Sequence, residues 1–234
     1  MKTPLLLKLG AATFLAVALT APVHADPYFD ISTPQQWSDA LASGTISPIT
    51  DSTLGAGLGI DSSLFVVPTL SVDSDGLLID FGTTSAAYGG FEYNFSSDPD
   101  LNGRTLSLKV KTKNNWKYYF NLYSSPPGAS KSWSFVGTGS EVDLNVSAGA
   151  NSWSGATDTS GNSISSKVSV DTGFDLSQCT SKGLNIWVYD PDGAANNSTK
   201  VGEVNVVPEP SAVVLLAFGA VSLLACGRRR SAKP

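Results

Sequence analysis

Short runs rich in Val, Ile, Leu, Phe, Tyr and Trp recur between residues 64 and 207, each cut from the next by Gly, Ser, Thr, Asn and Asp. A run of this length with apolar side chains on alternate residues buries one face of a strand and leaves the other to solvent or to a second layer, so the pattern predicts an all-β chain. The expected strands are Leu64 to Leu70, Leu77 to Phe81, Gly90 to Phe95, Thr105 to Thr112, Trp116 to Tyr123, Ser132 to Val136, Glu141 to Val146, Ile164 to Val170, Leu184 to Tyr189 and Lys200 to Val207. Turn signals separate them, notably Asp98-Pro99-Asp100-Leu101-Asn102-Gly103 and Asp190-Pro191-Asp192-Gly193. Strands at this spacing predict an antiparallel β-sandwich over residues 26–206, with no linker long enough to divide it.

One helix is expected near the start. Thr33 caps it, Pro34 takes the first position, Gln36 completes a capping box, Trp37 and Leu41 pair one turn apart, and Gly44 ends it. It is expected to plug one open end of the sandwich. Trp133 and Trp153 lie in Ser/Gly-rich stretches and read either as loop-borne ligand contacts or as lids on the core.

Both ends of the chain read as targeting segments. Lys2 and Lys8 flank the start of the apolar run Leu5 to Leu19, and Val23-His24-Ala25 offers a small-residue cleavage site, so residues 1–25 form a signal peptide cut after Ala25. At the other end stand Val207-Pro208-Glu209-Pro210, an apolar run over 212–226 and Arg228-Arg229-Arg230. Fifteen apolar residues at a helical rise cover about 22 Å, short of a full hydrocarbon core, and the triple arginine stays on the cytoplasmic side. An ordinary membrane anchor is the other reading. This three-part tail, residues 207–234, resembles the PEP-CTERM sorting signal of bacterial exported proteins. The resemblance implies a precursor held in the inner membrane by its C-terminal segment, a membrane-embedded exosortase-type enzyme that cuts near the Pro-Glu-Pro, and delivery to the cell surface or extracellular matrix.

Without these segments the composition reads differently. Residues 26–207 hold nine Lys or Arg against nineteen Asp or Glu, a formal charge of about −10. That excludes nucleic acid as a partner, since Lys109, Lys111, Lys113 and Lys117 are the only cluster and their alternation suits a solvated edge face. The sole histidine, His24, falls in the signal peptide, which removes imidazole-dependent nucleophile triads and zinc sites from the exported domain. Cys179 is alone there and reads as a small buried apolar residue.

Alternation in two strands singles out side chains that could meet a ligand. In one, Trp116, Tyr118, Phe120 and Leu122 share the core face and Lys117, Tyr119, Asn121 and Tyr123 share the other. In the next, Leu184, Ile186 and Val188 are core, which leaves Asn185, Trp187 and Tyr189 opposite. Rings interleaved with amides suit carbohydrate, because sugar C–H faces stack on aromatics while hydroxyls take hydrogen bonds. The competing expectation is that Trp187 and Tyr189 pack beneath a covering loop.

The stretch from Phe91 to Val207 is similar to the galactose-binding-like carbohydrate-binding domains. It carries Thr105-Leu106-Ser107-Leu108-Lys109-Val110, Asp175-Leu176-Ser177, Gly183-Leu184-Asn185-Ile186-Trp187-Val188-Tyr189 and Val201-Gly202-Glu203-Val204-Asn205-Val206 in that order. The resemblance implies a jelly-roll-like sandwich and a structural calcium, for which Asp73, Asp75, Asp190, Asp192 and Glu203 are the acidic candidates. No other cofactor is expected. Three functions follow: a non-catalytic module for extracellular polysaccharide, a structural surface or biofilm-matrix protein, and a glycoside hydrolase or lyase. The last needs two converging carboxylates, and the spacing of Glu92, Glu141 and Glu203 does not supply them.

Overall fold

The computed structural model describes residues 29–52, 59–83, 85–125, 129–153, 156–193 and 197–208. The signal peptide with Ala25, and the tail residues Glu209, Pro210, 212–226 and Arg228 to Arg230, lie outside the described residues. No helix among the described residues is long and apolar enough to cross a membrane.

The described residues form an all-β sandwich of two antiparallel six-stranded sheets with one α-helix. In order the elements are β1 (Phe29–Ile31), α1 (Pro34–Ser43), β2 (Ile46–Pro48), β3 (Thr69–Asp73), β4 (Gly76–Asp80), β5 (Ala87–Tyr93), β6 (Arg104–Lys111), β7 (Lys117–Ser124), β8 (Ala129–Val136), β9 (Glu141–Ser147), β10 (Ser166–Val170), β11 (Cys179–Asp190) and β12 (Ser198–Pro208). The first sheet runs β3-β4-β12-β6-β9, with β1 also lying along β12. The second runs β10-β8-β7-β11-β5-β2.

The core forms where the apolar alternation of each sheet meets that of the other. Leu106, Leu108 and Val110 of β6 face Tyr118, Phe120 and Leu122 of β7 and Leu184, Ile186 and Val188 of β11 across one buried cluster. Trp133 belongs to it too. It lies on the inner face of β8, edge-on to Phe120 with ring centroids 6.1 Å apart, so it is core and not a loop-borne contact. Trp153 is a lid, its ring edge-on to Phe135 at 5.7 Å. In β12 the buried valines are Val201, Val204 and Val206, an odd step followed by an even one. A bulge between Val201 and Glu203 absorbs the extra residue and returns the later valines to the core side.

Helix α1 forms as its sequence requires. The Thr33 hydroxyl accepts from Gln36 N–H, Gln36 reaches back to the Thr33 amide, and Gly44 closes the helix at φ 74°, a left-handed conformation that glycine adopts without penalty. Its position differs from the expected end plug. The helix packs on β2, β3 and β4, sealing the side seam between the two sheets. Trp37 anchors it, fully buried against Phe91 and donating from Nε1 to the Gly202 carbonyl at 3.1 Å.

The run Leu64 to Leu70 is not one strand. Pro68 cannot donate to a ladder, and only Phe65 and Val66 engage: a single bridge to Tyr88 and a hydrogen bond from Val66 N–H to the Tyr88 carbonyl at 2.9 Å. Residues 60–66 therefore cross the outside of the second sheet as a cover, and β3 begins only at Thr69. The three-residue strands β1 and β2 escape sequence reading because they are too short for alternation.

Candidate ligand-binding face

The outer face of the second sheet presents its side chains in transverse rows fixed by register. One row is polar from end to end: Ser169, Ser132, Asn121, Asn185, Glu92 and Ser47, each the partner of the next on β10, β8, β7, β11, β5 and β2. Five interstrand steps make it about 24 Å long. The adjacent row reads Lys167, Ser134, Tyr119, Trp187 and Gly90. Beyond it, Lys117, Tyr189 and Tyr88 form a third. Gly90 holds its place by close approach: a Cβ there would lie 1.9 Å from the Ile186 carbonyl oxygen.

The expected facing of β7 and β11 holds. Lys117, Tyr119, Asn121 and Tyr123 point outward, as do Asn185, Trp187 and Tyr189. Their exposure is another matter. Trp187 is fully buried, in a second apolar cluster with Ile49 and Tyr88 against which Ile60, Leu64 and Phe65 pack from above. Its ring lies 5.8 Å from Tyr88 and 6.2 Å from Phe65. Trp187 is thus not an accessible stacking ring but the ring beneath a covering loop that was the competing expectation: alternation sets the side of the sheet, and the 60–66 cover then closes over it. Tyr119, Tyr123 and Tyr189 stay half-buried at the margin of that cover.

The amides are buried too, with their hydrogen-bonding capacity unspent. Both polar atoms of Asn121, the Asn185 Oδ1 and the Trp187 Nε1 have no partner among the described residues. Burial raises the Tyr123 hydroxyl pKa, and the nearby side chains of Asn121, Asn185 and Trp187 pull it back. The Tyr123 hydroxyl thus approaches all three side chains closely enough for weak hydrogen bonding, at a geometry that leaves Asn121, the Asn185 Oδ1 and the Trp187 Nε1 short of full hydrogen bonds. A buried amide left this way costs about 1–3 kcal/mol, which a bridging hydroxyl or water would recover. Burial also raises the Tyr119 pKa, with Tyr189 adding to it.

Other expected positions have different partners. Asp73 and Asp75 flank the β3–β4 turn and grip Lys200, whose Nζ lies 2.5 and 3.1 Å from their carboxylates; Lys200 lowers both carboxyl pKa values. Glu203 pairs with Lys109 at 3.6 Å and accepts from Asn205. Asp190 accepts the amides of Asp192 and Gly193 through Oδ1. Among the described residues no group of three or more His, Cys, Asp or Glu side chains is placed to hold a metal. Nor are Lys109 and Lys111 on an edge: β6 is flanked by β12 and β9, and its lysines stand opposite Asp143 and Glu141.

Glu92 faces outward in the polar row and accepts from the Ser47 hydroxyl at 3.2 Å. Glu141 and Glu203 stand on the outer face of the other sheet, so these three do not converge. Cys179 is buried and unpaired, its thiol pKa pushed up to about 12 chiefly by burial. Sequence reading missed Ser132, Ser169, Ser47 and Phe65 as parts of this face. Only β8 carried a signal, in the alternation of Ser130, Ser132 and Ser134 with Lys131, Trp133 and Phe135. No protein-family model and no curated protein matches the chain.

Proposed function

We propose that the chain is an exported cell-surface or matrix protein, released by exosortase-type processing of its C-terminal tail, whose sandwich binds extracellular polysaccharide without cleaving it. We further read the sandwich as a jelly roll. With β10 set aside as an added edge strand, β4, β5, β6, β7, β8, β9, β11 and β12 count as eight strands in chain order; one sheet holds the first, eighth, third and sixth and the other the second, seventh, fourth and fifth, and this order supports that reading.

The observation that carries the binding role is the unspent polarity of Asn121 and Asn185 at the centre of a polar row bordered by Tyr119 and Tyr123. Hydroxyl-rich ligands supply both donors and acceptors to amides, while phenol rings beside them offer stacking faces. Trp187 contributes from beneath, as support for Tyr119. The isolated position of Glu92 favours a binding face over a hydrolytic one, which needs a second carboxylate within reach.

The test is affinity electrophoresis of the protein in the producing cell's own polysaccharide. Tyr119→Ala and Asn121→Ala should each weaken binding about tenfold, the scale of a single stacking or buried polar contact. Parent-like retardation of both variants, with cooperative melting intact, would overturn the reading and leave a structural coat protein.

A further inference from the structure

The lysines of this domain differ in what holds them. Lys109, Lys111 and Lys200 are held by carboxylates on the first sheet, and Lys131 is buried with its Nζ donating to the Ala148 carbonyl at 2.6 Å. Lys117 and Lys167 belong to neither arrangement. Both border a depression of about 210 Å³ on the second sheet, lined by Lys117, Tyr119, Ser134, Val136 and Lys167. Among the described residues no carboxylate pairs with either one. Lys167 is exposed on the edge strand β10, while the Lys117 Nζ lies 5.7 Å from the Tyr189 ring centroid, which holds it over the sheet.

Two ammonium groups without a carboxylate partner among the described residues, beside a half-buried phenol and one (Lys167) and two (Lys117) rows from the polar line, make a local cationic site in a domain of about −10 formal charge. We infer that the polymer taken by this face is acidic, with an anionic group of one sugar, a uronate carboxylate or an ester sulfate, seated between Lys117 and Lys167 against Tyr119. The inference rests on the polysaccharide reading of the face and adds its charge class. The acidic remainder of the domain repels such a polymer elsewhere, so the two lysines select register as well as affinity.

The experiment uses the full chain and three forms of the producing cell's polysaccharide: native, carboxyl-reduced and desulfated. Lys117→Ala and Lys167→Ala should each weaken binding to the native polymer about three- to tenfold, with the loss shrinking as salt rises. Lys109→Ala removes the same charge from the opposite sheet and should leave binding unchanged. Loss on carboxyl reduction identifies a uronate, and loss on desulfation identifies a sulfate. The charge inference is overturned if the Lys117→Ala/Lys167→Ala double variant binds the native polymer like the parent, or if both modified polymers bind as well as the native one. A parent protein that binds none of the three polymers overturns the polysaccharide reading itself. Retained binding with no dependence on charge overturns only the inference made here.

Discussion

Replacing Trp187 by alanine separates a supporting role from a contacting one. The ring is fully buried, with Tyr88 at 5.8 Å and Phe65 at 6.2 Å. Truncating a buried Trp to Ala costs about 3–5 kcal/mol, the lost transfer energy plus a cavity that the sheet beneath cannot close. For a domain of this size each kcal/mol moves the melting temperature by roughly 2–4 °C, so Trp187→Ala should melt about 6–20 °C below the parent. Trp187→Phe is the companion variant. It keeps the stack and removes the indole N–H that lacks a partner, so its smaller cavity is partly offset and the loss should stay under about 1.5 kcal/mol. Circular dichroism melts of both variants decide the matter. If Trp187→Ala melts within a degree or two of the parent, the ring is not sealed by residues 60–66, and the account of this face fails.

Asn121→Leu should raise the melting temperature while weakening glycan binding about tenfold, because it removes an unpartnered buried amide that a ligand hydroxyl would satisfy; calorimetry and affinity electrophoresis report the two effects separately. Asp158 accepts from Thr138, from the Asn162 amide and side chain and from the Ser160 amide, with Thr138 the largest influence in pulling its pKa down to about 2. A depressed folded-state pKa means that this stabilisation is full above the unfolded value near 4 and fades as pH falls toward 2. The melting gap between the parent and Asp158→Asn should therefore be widest at neutral pH and close in acid, and a constant gap would contradict the assignment. Cys179 should stay unlabelled by thiol reagents in the native protein and become labelled in denaturant, as peptide mass mapping would show. Surface-extracted protein should lack residues 212–234 by intact mass, and a mass that includes them would leave an ordinary anchor.

The facing of β7 and β11 was legible because alternation is a local property: two residues along a strand return to the same side. Helix α1 was legible for the same reason, its cap, box and closing glycine all lying within twelve residues. Exposure was legible only as two alternatives, a ligand-facing ring or a ring beneath a covering loop, and the covering residues were not identified. Phe65 lies more than a hundred residues before Trp187, and no local rule connects an apolar run broken by Pro68 with the ring that it covers. The polar row was equally hidden, since Ser169, Asn121 and Ser47 line up only once the register of six strands is set. Composition showed an acidic domain, but only pairing in space distinguishes Lys200, clasped by two aspartates, from Lys167, which is not.

The strand β12 is the last among the described residues but lies inside its sheet, bonded to β6 along one side and to β4 and β1 along the other. Neither β4 nor β1 has a partner on β6, so the first sheet stays in three pieces, β3-β4, β6-β9 and β1, until this segment arrives. Phe29 must wait for Val206, at nearly the full separation that the domain allows. Such distant pairing makes closure slow and confines it to a chain that has been delivered almost whole. For a protein sent across a membrane by the route proposed above, the sequence order of its strands thus acts as a timer: the thread stays loose during passage, and the sandwich locks when the final strand emerges.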